Sequence, residues 1–303
     1  MATAYIVLKQ IIIMVILAFI GFALFRKKKI TKEGSKTIAN ILIFISLPCV
    51  IINSFMSEQT PQKLAGLALS VVAALILLVV SILIAKLFFR NDAIASFAAA
   101  FSNAGFIGIP LIVDVLGGEA VFYIAPFIAI LNLLQWTYGV SLLTGKKAGL
   151  KPKAVITAPF MIAIIIGLAI FISGIKIPVI FSQVVSHMAG LNTPLAMFAV
   201  GIYIAEVDFK KMISRKQNYM VSLVRLIIVP AVTLLMLKFL PENFHDMRLA
   251  LFIAAACPVG SNVAVYAQLH DKDYPYAVET VVTTTLLSVV TLPLAVLVTN
   301  IFW

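Results

Sequence analysis

Long apolar runs separated by short polar or charged segments form the pattern of this chain. Each run is about 20 residues long, the length that an α-helix needs to cross the hydrocarbon core of a membrane. The pattern predicts ten spans, at residues 5–25, 38–56, 64–89, 94–116, 119–143, 154–173, 186–206, 219–239, 247–269 and 276–301. The apolar stretch 175–185 is too short to span, and we expect an interfacial segment there. The sequence thus predicts an all-α polytopic membrane protein.

Composition and net charge agree with this fold class. Hydrophobic residues make up 62% of the 303 positions and charged residues 12%, whereas soluble domains carry about 25% charged residues. The net charge of +11 could indicate a nucleic-acid partner in a soluble protein. Here the basic residues sit in short loops between spans, where membrane topology explains them, so no nucleic-acid partner is expected.

Lysine and arginine residues are distributed unequally between the two sides of the predicted spans. Seventeen of the 23 fall on one side, five on the other, and Arg225 lies within the eighth span. Loops rich in Lys and Arg are normally cytoplasmic. We therefore expect a multi-pass protein of the cell membrane with both termini extracytoplasmic.

Weak internal similarity predicts two five-helix repeats, residues 1–145 and 146–303. Because five is odd, the second repeat must be inverted relative to the first. Residues 96–105 of the fourth span align with residues 251–260 of the ninth, with identities at Phe97/Phe252, Ala99/Ala254, Ala100/Ala255 and Gly105/Gly260. Pro48 in the second span and Pro194 in the seventh form another pair.

Glycine and proline residues are expected to interrupt the fourth and ninth spans. The fourth contains Gly105, Gly108 and Pro110, and the ninth contains Pro258 and Gly260. Proline lacks an N–H group and glycine permits irregular backbone, which persists in a membrane only where it is buried or lines a cavity. Interrupted helices at corresponding positions of inverted repeats predict a substrate site between them.

The second half of each interrupted helix should turn its N-terminus toward that site. Free N–H groups and the positive end of the helix dipole favour an anion there, and amide and hydroxyl side chains add donors. The candidate substrate-binding residues in the two spans are Asn103, Gly105, Pro110, Pro258, Gly260, Ser261 and Asn262. The alternative is that these residues only kink and join packed helices.

Other polar residues within spans leave two interpretations open. Asn132 and Gln135 share one face of the fifth span, where they either flank the cavity or join helices. Asn192 and Thr193 either line the cavity or satisfy a local break. Arg225 either snorkels to the cytoplasmic interface or pairs with a carboxylate, or it takes part in transport.

Patterns typical of enzymes and cofactor sites are absent from the sequence. It has no phosphate-binding Gly-Lys-Ser/Thr loop and no His, Cys, Asp or Glu cluster with metal-ligand spacing. No acidic residue lies within the interrupted segments, so an anionic substrate is favoured over a cationic one. We expect a non-enzymatic secondary transporter without a cofactor, with H⁺ or Na⁺ as candidate coupling ions.

Two motifs resemble those of the auxin efflux carrier family. They are NAGFIGIPL at 103–111 and PVGSNVAVYAQ at 258–268, supported by Leu47-Pro48, by RLIIVP at 225–230 and by residues 284–293. The family includes plant auxin exporters and bacterial permeases for small carboxylates such as malate and malonate. The long cytoplasmic loop of many plant members is absent, which indicates a compact member.

The resemblance implies the fold of sodium/bile-acid-symporter-like and sodium/proton-antiporter-like proteins. Spans 1, 2, 6 and 7 would form a scaffold that often dimerises, and spans 3–5 and 8–10 a transport domain that moves like an elevator. Asn103, Gln135 and Asn262 would contact the carboxylate of a small organic anion. Two other functions remain open: a sodium-coupled symporter of the bile-acid type and a membrane receptor without transport.

Overall fold

The computed structural model describes residues 2–145 and 156–302. The regular elements among these residues are helices, and the only extended pairing among them is one isolated antiparallel bridge. The predicted boundary between the two repeats, at 145/146, adjoins residues 146–155, which lie outside the described residues together with the start of the sixth predicted span.

We number the main helices in chain order. They are α1 (Ala2–Arg26), α2 (Lys32–Phe55), α3 (Pro61–Phe88), α4 (Ala93–Ala100), α5 (Ala104–Leu116), α6 (Gly118–Thr144), α7 (Pro159–Ser173), α8 (Val179–Glu206), α9 (Lys216–Leu237), α10 (His245–Ala256), α11 (Asn262–Leu269) and α12 (Tyr274–Phe302).

The described helices agree with a polytopic membrane protein. Seven of them, α1, α2, α3, α6, α8, α9 and α12, contain stretches long and apolar enough to cross a membrane, and α5 and α7 are shorter apolar helices. Many apolar side chains on α1 and α3 are exposed, as expected for helices that face lipid rather than water. The prediction of an all-helical membrane protein is confirmed at this level.

The helix that contains the seventh predicted span begins earlier than that span. We expected the span to begin at residue 186 after an interfacial segment, whereas α8 is helical from Val179 onward, with a turn at Leu191. Pro178 directly precedes the helix, a position where its missing N–H costs nothing. Ile180 and Phe181 are 75% and 65% exposed, so this helical turn presents an apolar surface.

Three of the π turns within the helices immediately precede a proline-containing turn. They are Leu42–Ser46 before Pro48, Ala104–Gly108 before Pro110, and Val224–Ile228 before Pro230. Proline donates no hydrogen bond and its ring collides with the carbonyl four residues earlier, a conflict that a wider turn relieves. The helices therefore continue through these prolines.

The fourth and ninth predicted spans are both interrupted. In the ninth, the interruption between α10 and α11 contains Pro258 and Gly260, as predicted. In the fourth, the interruption between α4 and α5 lies at residues 101–103, before the glycine and proline cluster rather than within it. Pro110 instead follows the π turn inside α5, where the widened backbone accommodates its ring.

Helix packing is extensive within two sets of helices, and the sets meet where α1 packs on α12. Extensive contacts join α1 to α8, and α2 to α7 and to the first half of α8. In the other set α3 packs on α4 and α6, while α10 packs on α6 and α9 and α12 on α9 and α11. Small residues permit the closest approach, because a Cβ at Gly201 would collide with the backbone of Ala18.

Candidate substrate-binding site

The interruptions of the two helices contact each other through their main chains. Asn103 N–H donates to the carbonyl of Pro258 over 2.8 Å, and Gly260 N–H donates to the carbonyl of Phe101 over 3.0 Å. The two segments run antiparallel at this point. Main-chain groups that lack helical partners are thus bonded to one another, as irregular backbone in a membrane requires.

Gly260 and α12 both support this junction. A Cβ at Gly260 would lie only 2.9 Å from the carbonyl oxygen of Ser102, so a glycine is needed for the two backbones to approach. The N–H of Val259 donates to the hydroxyl oxygen of Thr284 on α12 over 3.1 Å. The junction is therefore held from a third helix as well.

Asn103 forms the N-cap of the second half-helix. Its Oδ1 accepts a hydrogen bond from the N–H of Phe106 over 3.4 Å, which turns the amide nitrogen away from the helix. This Nδ2 is buried and has no hydrogen-bond partner among the described residues. The first N–H groups of α5 also lack intrahelical acceptors, and they carry the positive end of the helix dipole. Both features suit an anion.

Gln135 and Asn262 form a pair of hydrogen-bonded amide side chains near the junction. Gln135 is fully buried in α6, where its Oε1 accepts from Nδ2 of Asn262 over 2.7 Å. Its own Nε2 has no partner among the described residues. The pair links α6 to the N-terminus of α11 and leaves a further buried N–H donor unused.

A cavity of ≈ 430 Å³ lies beside the junction, within the size range of small-molecule sites, about 300–1,000 Å³. Its polar lining residues are Ser102, Asn103, Asn132, Ser261, Asn262 and Tyr266. Aromatic side chains from three helices, Phe106, Trp136 and Phe160, form part of its apolar wall. None of the described lining residues carries a formal charge.

The structure places the sequence-predicted residues in two groups. Those that line the cavity are Asn103, Gly105, Asn132, Gly260, Ser261 and Asn262, and Gln135 joins them by its bond to Asn262. Those that do not line it are Pro110, Pro258, Asn192, Thr193 and Arg225. Pro258 contributes its carbonyl to the junction instead.

Sequence reasoning did not propose several lining residues. Tyr266 follows Asn262 by four positions, so the spacing on one helix face could have indicated it. Ser102 directly precedes Asn103 and lies in the interruption itself. The contributions of Leu47 and Phe160 come from helices distant in sequence, and no local signal predicts them.

Arg225 does not snorkel, and this interpretation of the sequence is wrong. The residue is 1% exposed, and none of its hydrogen-bond acceptors in the described part of the chain is a carboxylate. Its guanidinium donates to the carbonyls of Cys257 (3.1 Å), Ala99 and Ala100 (3.2 Å each) and Ala255, and to the hydroxyl of Ser81 (3.4 Å). These carbonyls lie where α4 and α10 end.

Glu279, an acidic residue on α12, pairs with Arg215 and Asn218 rather than with Arg225. Its carboxylate lies 3.1 Å from Nε of Arg215 and accepts from Nδ2 of Asn218 over 3.3 Å. The guanidinium of Arg215 also lies 4.5 Å from the ring centre of Tyr276. This cluster lies outside the cavity lining.

Paired helix interruptions beside a cavity lined by apolar and uncharged polar side chains are typical of secondary transporters. The chain belongs to a family of membrane transporters, since the family model described as "Membrane transport protein" matches residues 6–155 and 150–296. This is the auxin-efflux-carrier-like family, and the resemblance drawn from the two motifs is thereby confirmed.

Two curated relatives are similar over most of their lengths. A protein of Rhizobium meliloti (strain 1021) named "Putative malonate transporter" is 24% identical over 292 residues, covering 91% of this chain and 90% of the relative. An "Uncharacterized transporter" of Methanothermobacter thermautotrophicus (strain Delta H) is 23% identical over 298 residues, covering 94% and 96%.

Proposed function

We propose that this protein is a secondary transporter that moves a small organic anion, a carboxylate, across the cell membrane. The observation that carries the proposal is the buried, unpartnered amide nitrogen of Asn103 at the N-terminus of α5, beside an uncharged cavity. A carboxylate oxygen is an acceptor that such donors can satisfy. A ligand with a positive charge would meet the wrong end of the helix dipole.

In the proposed binding mode the carboxylate lies at the junction and the rest of the molecule extends into the cavity. Asn103, Gln135 and Asn262 supply side-chain donors, and the first N–H groups of α5 add main-chain donors. Aromatic side chains would contact the apolar part of the substrate. The name of the Rhizobium relative supports a small carboxylate such as malonate as the first compound to test.

The proposed architecture has ten spans arranged as two inverted five-helix repeats, with the interrupted helices as the fourth and ninth. The first, second, sixth and seventh spans form a scaffold and the others a transport domain that moves as an elevator. The extensive packing of α1 on α8 and of α2 on α7 supports the scaffold. Both termini are extracytoplasmic, and the scaffold forms a homodimer.

The test is transport by the purified protein in proteoliposomes. Charge movement on a solid-supported membrane is recorded while malonate, malate, lactate, citrate and indole-3-acetate are applied to wild type and Asn103→Ala. Asn40→Ala serves as a matched control, because Asn40 is an exposed amide on α2 away from the cavity. We expect a saturable current with at least one carboxylate.

Loss of the unpaired donor should weaken the apparent affinity of Asn103→Ala by roughly 10- to 150-fold, since a hydrogen bond to a charged group contributes about 1.5–3 kcal/mol. Asn40→Ala should behave as wild type. If both variants match wild type, the site lies elsewhere. If no current is seen, counterflow of each radiolabelled carboxylate decides, and its absence for all of them would reject the proposal.

A further inference from the structure

The ends of α4 and α10 form a cluster of main-chain carbonyl oxygens around one guanidinium group. Ala99 and Ala100 are the last residues of α4, while Ala255 and Cys257 flank the end of α10. All four carbonyls accept from Arg225. The hydroxyl of Ser81 on α3 joins them, since it donates to the carbonyl of Ala100 over 2.8 Å.

The charges of this cluster balance. Each helix C-terminus carries a partial charge of about −0.5, so two C-termini together present about −1. A guanidinium group contributes +1 permanently, and its planar fork can reach several acceptors at once. A buried arginine would normally need a carboxylate, and here the two helix ends take that place. The group thereby satisfies carbonyls that the interruptions leave without N–H partners.

Oxygen clusters of this kind are where transporters with interrupted helices bind a coupling cation. Sodium, which the sequence left open as a coupling ion, does not fit this one. The carbonyl oxygens that could coordinate the ion already accept hydrogen bonds from Arg225. The guanidinium would also repel a second cation placed within a few ångströms of it.

We propose that Arg225 is a positioning residue that acts as a built-in cation at the helix junction. It holds the C-terminal ends of α4 and α10 together. Because α5 and α11 follow these ends in the chain, it also fixes the positions of their N-termini at the proposed substrate site. A cation binding at these carbonyls is then neither needed nor allowed in the wild type. Removing the side chain should leave a carbonyl-lined space that accepts an external cation.

The experiment measures the melting temperature of purified Arg225→Ala in detergent with sodium, guanidinium or choline chloride at equal ionic strength. Guanidinium is used at about 10 mM, far below the molar range in which it unfolds proteins. Arg215→Ala is the matched control, because Arg215 pairs with the carboxylates of Asp273 and Glu279 rather than with helix-end carbonyls, and its side chain is 34% exposed. Wild type should show the same melting temperature in all three salts.

We expect Arg225→Ala to melt about 5–15 °C below wild type, since its partners are left buried and unpaired. Guanidinium or sodium, but not choline, should raise that melting temperature along a saturating curve. Arg215→Ala should show no such recovery. A folded Arg225→Ala variant that neither salt stabilises more than choline does would overturn the proposal.

If Arg225→Ala does not yield folded protein, two further variants test whether the positive charge at position 225 holds the helix ends together. Arg225→Lys keeps the positive charge with fewer donors, and Arg225→Gln keeps a donor without the charge. The built-in cation predicts that the lysine variant melts above the glutamine variant. The opposite order would show that hydrogen bonding rather than charge holds the helix ends, and would overturn the proposal.

A transport experiment on the same variants rests on the proposed function, whereas the melting experiment does not. In proteoliposomes, wild-type carboxylate currents should not change when sodium replaces choline, whereas currents of Arg225→Ala should increase in sodium or guanidinium. If no carboxylate is transported by wild type, the proposed function fails while the melting experiment still decides the role of Arg225. Sodium-dependent wild-type currents would contradict the built-in cation.

Discussion

Gly105 and Gly260 occupy equivalent positions in the predicted repeat, but their surroundings differ. A Cβ on Gly105 would meet no atom within 4 Å, whereas one on Gly260 would press against the carbonyl of Ser102. The first glycine therefore leaves room in the cavity, and the second lets two backbones meet. The same residue type serves binding at one position and folding at the other.

This difference predicts opposite effects of the two alanine variants. Gly105→Ala should keep the wild-type melting temperature, because alanine is favoured in helices and finds free space, but it should weaken substrate affinity by narrowing the cavity. Gly260→Ala should lose about 1–3 kcal/mol of stability through overpacking. Melting curves and carboxylate currents on both variants check this, and a destabilised Gly105→Ala with normal affinity would contradict it.

At the scale of residues, the sequence indicated much of the cavity lining but not what each residue does. Asn103 and Asn262 were predicted because amides beside glycine and proline are conspicuous in an apolar span. The role of Arg225 was not predicted, because most of its acceptors are main-chain carbonyl oxygens at the ends of α4 and α10. Main-chain acceptors leave no signature in side-chain identity.

Among the helices, the packing of α1 on α8 depends on residues without side chains. Gly201 lies against the backbone of Ala18, and Gly21 faces the backbone of Phe198, 2.6 Å from where its Cβ would be. Close contact of this kind contributes dispersion energy and weak hydrogen bonds where no hydrophobic effect operates between helices in lipid. The pair forms a rigid unit in the proposed scaffold.

Gly201→Ala should separate these two helices. The added methyl group collides with main chain that cannot move aside, so we expect a loss of about 1–3 kcal/mol of stability. Gly190→Ala is the control, because a Cβ there would meet nothing within 4 Å. Thermal melting in detergent measures both, and equal melting temperatures would show that the α1–α8 contact adjusts.

The helices themselves were largely predictable from length and hydropathy, whereas their internal irregularities were not. Apolar runs of about 20 residues gave the long helices because lipid demands a self-bonded backbone. The early start of α8 at Val179 and the π turns before Pro48 and Pro230 depend on local hydrogen-bond geometry. That geometry does not alter the hydropathy pattern.

On the scale of the whole molecule, the distribution of charge sets the proposed orientation. The loop after α1 and the loop between α3 and α4 belong to the basic side, which we place in the cytoplasm. The loop between α2 and α3 belongs to the other side. Glu58 and Arg90 are exposed residues in two of these loops, which makes them suitable for labelling.

Cysteine labelling tests this orientation in intact cells. In a background with Cys49→Ser and Cys257→Ala, the single variant Glu58→Cys should react with a membrane-impermeant maleimide added outside. Arg90→Cys should react only after the membrane is permeabilised. Labelling of Arg90→Cys in intact cells, with Glu58→Cys protected, would mean that the protein is inserted the other way.

The junction between the interrupted helices is built from main-chain hydrogen bonds, and this has a consequence for the divergence of the family. Bonds such as those from Asn103 N–H to Pro258 and from Gly260 N–H to Phe101 do not depend on side-chain type. The exception is a position such as Gly260, where a larger side chain would push the two segments apart. Lineages can therefore exchange cavity-lining residues, and with them substrates, while keeping the same junction. Relatives only 23–24% identical over nearly the whole chain would then differ in cargo more readily than in architecture.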